Sequence, residues 1–102
     1  MAKFDELLPI GSVVRVKGAQ RNLMICGRVV TRTGSDDIYD YVACLYPEGL
    51  IDASDLYFFN RTAVDECVYK GFEGEEELAF REHVLGTLNE VEVIDGKIVP
   101  KQ

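Results

Sequence analysis

Nothing in this chain of 102 residues spells out a reaction. It holds a single histidine, His83, and three cysteines, Cys26, Cys44 and Cys67, with no CxxC spacing among them. A zinc site or a Cys-His pair would have to join His83 to a cysteine distant in sequence, and an odd set of unpaired spacings inside apolar segments argues for buried, reduced thiols rather than a disulfide framework. Cys26 alone has a cation near it, Arg28, two positions along the same strand face; packing is the better account of it than activation. Phosphate-cradling and nucleophile motifs are missing as well, with no GxGxxG, no GxxxxGK[ST] and no GxSxG. The acids give no substitute. Glu73-Gly74-Glu75-Glu76-Glu77 lacks the alternating oxygen ligands of a calcium loop, and Asp36, Asp37 and Asp40 have no nucleophile-base pair beside them. No enzyme, metal or cofactor is expected.

No apolar run approaches the roughly 20 residues that span a bilayer. Met1-Ala2-Lys3-Phe4-Asp5-Glu6 carries acids where a signal peptide carries its apolar core, so a cytoplasmic location without a membrane span is expected. Eleven basic residues stand against 18 acidic ones, a net charge of −7, and an acidic chain is repelled by phosphate backbones, so no nucleic-acid partner is expected. The charge is uneven. Residues 1–34 hold six basic side chains against two acids, which reads as basic strands neutralised by acidic neighbours elsewhere in the chain.

What is present is a globular pattern: 47% hydrophobic and 28% charged residues, at a length usual for one domain, with no internal repeat. Its anchor is Tyr39-Asp40-Tyr41-Val42-Ala43-Cys44-Leu45-Tyr46, an apolar strand stopped by Pro47-Glu48-Gly49; taken in twos, both its faces are largely apolar and both should be covered. Phe4–Leu8 reads as one helical turn that tucks onto the core before Pro9. Ser12–Lys17 is a half-buried strand, Gly18–Asn22 a hairpin connection, and Leu23–Thr31 a second strand in which Gly27 marks a bulge or bend. Beyond the polar loop Thr33–Asp37 and the anchor, Leu56–Phe59 is a short strand. Asn60–Asp65 is a single helical turn, 3₁₀ in type, and Glu66–Lys70 is a fifth strand.

From Glu73 the period changes. Glu75, Glu76 and Glu77 open a helix running to about Val91, with Leu78, Val84, Leu85, Leu88 and Val91 as its apolar stripe and Phe80 off it. Gly86 weakens that helix. Asp95-Gly96 between two β-rich runs then predicts a terminal hairpin. The expected architecture is one α+β domain over 1–102: a small five-stranded antiparallel curled sheet or SH3-like barrel at 12–70, a C-terminal α-helix at 73–91 and a terminal β-hairpin at 91–100. Aromatic residues crowd into 39–72, more than such a body can bury, so the tyrosines around the strand-ending turn are expected at the surface as interface anchors, unless they pack beneath the helix. The candidate protein-binding residues are Tyr41, Tyr46, Pro47, Glu48, Gly49, Tyr57 and Phe72.

An ordered series of segments carries a resemblance: Leu7-Leu8-Pro9-Ile10-Gly11-Ser12-Val13-Val14, Leu23-Met24-Ile25-Cys26-Gly27-Arg28, the anchor strand with its Pro-Glu-Gly, Phe59-Asn60 with Val64-Asp65-Glu66, and Gly71-Phe72 before an acidic helix. From residue 7 to about residue 82 the chain resembles a family of small Firmicutes proteins classed as a domain of unknown function, whose genes commonly lie beside type VII secretion loci and their LXG polymorphic toxins. What the resemblance implies is a cytoplasmic, non-enzymatic accessory that binds a toxin or a secretion component, chaperone-like or as a targeting partner. An immunity protein, or a small metal-binding protein or enzyme using His83 or a cysteine, stays open as the alternative, and so does assembly into a homo-oligomer.

Overall fold

The computed structural model describes residues 6–32, 34–88 and 91–100. Phe4 and Asp5 of the expected N-terminal turn and Thr33 of the polar loop lie outside these residues. Five antiparallel strands, β1 (Val13–Val16), β2 (Leu23–Thr31), β3 (Ile38–Leu45), β4 (Tyr57–Phe59) and β5 (Val64–Tyr69), form one sheet in the order β4-β3-β2-β1-β5, with a 3₁₀ turn at Arg61–Ala63 between β4 and β5. This bears out the expected small five-stranded antiparallel sheet. The sheet is curled, with β4 and β5 as its two edges.

Alternation decides what goes inside. Leu7, Val14, Leu23, Ile25, Tyr41, Ala43 and Phe59 form the buried core, with Leu8, Val16, Val29, Leu45, Ala63 and Val64 packed against it. Leu7 is 1% exposed, which bears out the expected docking of the N-terminal segment. The anchor strand is buried on its inner face through Tyr41 and Ala43; on the outer face Cys44 is buried and Val42 half-buried.

The curl has a local cause in β2. Its register against β3 slips between Ile25 and Gly27, so Cys26 is an extra residue there, and a Cβ on Gly27 would come within 2.6 Å of the Val42 side chain. Two residues on, Val29 has φ +52, a left-handed conformation that costs a β-branched residue about 1–2 kcal/mol. A bulge followed by a left-handed residue turns the strand sharply. It also reverses the expected alternation. Cys26 stays outside while Arg28, opposite buried Tyr41, turns inward, so the two do not share a face.

The helix differs from expectation. It covers Glu75–His83 (α1), is followed by a 3₁₀ turn at Leu85–Thr87, and buries none of its residues. The α-helix ends at His83, ahead of Gly86, which falls inside the 3₁₀ turn. Leu78 and Val84 of the expected stripe are 50% and 43% exposed. What holds α1 to the sheet is charge. Arg28 donates to both Glu77 carboxylate oxygens at 2.7 and 2.8 Å, with side-chain exposures of 5% and 12%, and Arg81 donates to Glu77 at 2.9 Å and to Glu73 at 2.6 Å. The Arg28 guanidinium also lies 5.5 Å over the ring of Phe80, the residue set aside as off the stripe. The terminal hairpin is as expected: β6 (Val91–Ile94) pairs with β7 (Lys97–Pro100), Ile94 faces Lys97, and Asp95 and Gly96 take φ +52 and +76, as a type I′ turn requires. β7 lies against β2.

Candidate protein-binding surface

Of the residues expected at a binding face, Tyr41 is not available. It is 2% exposed, its ring meets Phe59 at 5.6 Å, and its hydroxyl accepts the Leu8 N–H at 2.9 Å. The strand period that put it among apolar neighbours is what buries it. Burial pushes its phenol above the ordinary tyrosine value.

Tyr46-Pro47-Glu48-Gly49 does lie at the surface, as a turn tied down at both ends. Tyr46 N–H donates to Asn22 O at 3.1 Å, Gly49 N–H donates to Leu45 O at 2.8 Å, and Gly49 takes φ +80. Arg21 reaches across from the β1–β2 connection, donating to the Tyr46 carbonyl at 3.3 Å and to Glu48 Oε2 at 2.7 Å. That hydrogen bond holds the Glu48 carboxyl below its usual range.

Tyr46 thereby becomes one wall of an apolar hollow of about 450 Å3, lined by Gly11, Val13, Asn22, Met24, Tyr46, Val68 and Tyr69. Tyr69 is 64% exposed and Val68 48%. In a regular strand these neighbours would point to opposite faces. The pairing of β1 with β5 explains why both line the hollow: Val13 faces Tyr69 but Val14 faces Cys67, so Val68 is an extra residue in the strand. A second slip, between Glu66 and Val64, makes Asp65 another. Bulges re-aim side chains. Within β5 only Val64 is even half-buried, and the other five residues are exposed.

Tyr57 and Phe72 are exposed, at 43% and 84%, without lining this hollow. Phe72 follows a pinned point of the chain. Gly71 donates its N–H to the buried Ser12 hydroxyl at 2.9 Å, and a Cβ there would come within 2.4 Å of the Ile10 carbonyl oxygen. Sequence reading therefore found Tyr46 and missed Gly11, Val13, Asn22, Met24, Val68 and Tyr69. Tyr69 stood in the aromatic-rich stretch, but the bulge that sets it beside Val68 has no sequence signal of its own. The aromatic rings do not gather beneath the helix: Tyr41 and Phe59 enter the core, and Tyr39 meets Phe58 at 5.7 Å.

The thiols correct an expectation too. Cys44 is buried, but Cys26 and Cys67 are exposed, because Cys26 is the bulged residue on the outer face and Cys67 sits on the uncovered edge strand. Partial burial, with Cys44 as a neighbour, pushes the Cys26 thiol above its ordinary value, the opposite of activation. His83 is exposed in the last turn of α1. Among the described residues no three His, Cys, Asp or Glu side chains are grouped to hold a metal ion, and no helix is long and apolar enough to cross a membrane.

Fold and surface define a small α+β domain: a five-stranded antiparallel curled sheet carrying one helix and a strand pair, with an apolar hollow on its outer face. Residues 7–80 match a family described as a domain of unknown function (DUF4176), and the chain belongs to that family. The match takes in β1 to β5 and most of α1, and leaves the β6–β7 hairpin outside it. No curated protein and no solved structure matches the chain.

Proposed function

We propose that this protein is a non-enzymatic, cytoplasmic protein-binding accessory of type VII secretion, acting as a chaperone-like or targeting partner of an LXG toxin or of a secretion component. The observation that supports this reading is the hollow between Tyr46, Met24, Val68 and Tyr69. Its walls are apolar, they are assembled from two bulged strands and a tethered turn, and they stay in water in the isolated chain. Apolar surface gathered in one place, with aromatic rings at its rim, is the usual form of a partner's landing site. The resemblance to toxin-associated proteins supplies the class of partner.

Co-purification from cells that express the neighbouring LXG toxin tests the reading. The chain should retain the toxin or a secretion component, and Tyr69→Ala or Val68→Asp should weaken that retention about tenfold or more, since loss of a central anchor costs over 1 kcal/mol. Both positions are exposed, so the fold should survive, which circular dichroism checks. Retention of neither kind of partner would refute the proposal. Protection of cells from the toxin by the chain alone would shift it to an immunity protein.

A further inference from the structure

We propose that Cys26 and Cys44 are a redox pair, which a small-molecule disulfide of the glutathione class closes into an intramolecular bridge between β2 and β3. This goes beyond the reading above and does not depend on it. Three geometric facts carry it. Met24 and Cys44 are cross-strand partners, and Cys26 is the next outward-facing residue along β2, so the two cysteines are diagonal neighbours on the outer face. The bulge that Cys26 occupies breaks the regular spacing of that diagonal. Both sulfurs also lie over the β2–β3 seam: Cys26 Sγ is 3.5 Å from Val42 O and Cys44 Sγ 3.8 Å from Met24 O, each thiol directed at a carbonyl on the opposite strand. Cys44 is also among the groups that raise the Cys26 pKa, which agrees with this closeness.

Their burial assigns the roles. Cys26 is exposed and Cys44 is 2% exposed, so Cys26 meets the reagent and Cys44 resolves. The Cys26 thiolate attacks one sulfur of RSSR, a Cys26–S–S–R bond forms, and RS⁻ leaves and takes up the proton the thiol gave. Cys44, on losing its own proton, attacks the Cys26 sulfur and expels the second RS⁻. The protein gives up two hydrogens and RSSR becomes two RSH. The raised Cys26 pKa makes the first step slow at neutral pH and faster as pH rises. In a reducing compartment the pair stays open; in an oxidising one the bridge joins Cys26 to the residue facing Met24, a wall of the hollow, and fixes that wall.

Incubation of the folded full chain with oxidised glutathione, followed by alkylation under denaturing, non-reducing conditions and tryptic mass spectrometry, tests this. The wild type and Cys67→Ser should both yield peptide 22–28 linked to peptide 33–61, at a mass two hydrogens below the sum. Cys44→Ala should stop at a Cys26–glutathione mixed disulfide, and Cys26→Ser should leave Cys44 free to be alkylated. Cys44→Ala removes a buried sulfur, so circular dichroism confirms its fold, and the wild-type map stands without it. Persistence of a Cys26–glutathione adduct beside an alkylated Cys44 in the folded wild type would overturn the proposal, and so would a Cys26–Cys67 link.

Discussion

The Tyr41 hydroxyl shows how much one polar atom does in this core. It is the partner of the Leu8 N–H, so it joins the N-terminal segment to the central strand over 33 positions of sequence. Tyr41→Phe keeps the ring against Phe59 and orphans that amide in a half-buried place, and it should lower unfolding free energy by about 1 kcal/mol, measured by urea denaturation. A loss near zero would mean that water replaces the hydroxyl. The burial of Tyr41 was legible in part: alternation placed it with Ala43 and Leu45 on one face of the anchor strand, but which face turned inward was not written there. Its hydrogen bond depends on Leu8, and nothing local in the sequence pairs those two residues. Gly27 was readable as a bulge because a glycine inside an apolar strand has few other uses. Val29 at φ +52 was not, since valine is among the residues least suited to that conformation.

Among elements, α1 was the least readable. The spacing of Leu78, Leu85 and Leu88 suggested an apolar stripe, yet the attachment is a clamp of Arg28 and Glu77 between β2 and the helix. Periodicity cannot show it, because one partner sits 49 positions from the other and faces inward only through the Cys26 bulge. The second hollow, about 230 Å3 between Arg28, Val29, Phe80 and the terminal hairpin, is lined by Val84, Leu85, Leu88 and Val91 of the stripe but not by Leu78. Glu77→Ala leaves the Arg28 charge buried without its partner, and should destabilise the protein by about 3 kcal/mol. An Arg28→Met, Glu77→Leu double variant should recover most of that loss, because two apolar groups of similar volume need no desolvation of charge. If the double variant is as unstable as the sum of its singles, the clamp does more than replace apolar packing. The hairpin at β6–β7 was the most readable element, since Asp-Gly in a two-residue turn leaves only a small choice of geometry.

At the scale of the molecule, electrostatics inside the fold sets the response to acid. The Glu77 carboxyl is held below 4.5 chiefly by its hydrogen bond from Arg28, and Glu73 below the same value first by Lys70 and then by Arg81. A carboxyl with a depressed pKa binds fewer protons in the native state than in the unfolded one. Its contribution is complete above the ordinary value near 4.5 and is lost as pH falls through the lowered native value. Stability should therefore be flat from pH 7 to 5 in these groups and drop below about 4.5, with helical ellipticity lost ahead of the tyrosine signal of the sheet, because α1 is held by the groups that protonate. Simultaneous loss of both signals would mean that helix and sheet unfold as one unit. The strand count and the turn between β4 and β5 were legible because alternation and turn residues report on strands directly. The outer hollow was not, because it needs the β1–β5 register, a relation between residues 13 and 69.

One detail of the backbone bears on how anything could settle on this surface. Gly71 rests against Ile10 and Ser12 with no room for a methyl group, so the main chain between Tyr69 and Phe72 is fastened before any ligand arrives. A visitor to that corner would find rings on a stationary support and would order few groups in settling there. The heat of such an encounter should then report mostly the water driven off, as a negative heat-capacity change in proportion to the apolar area covered.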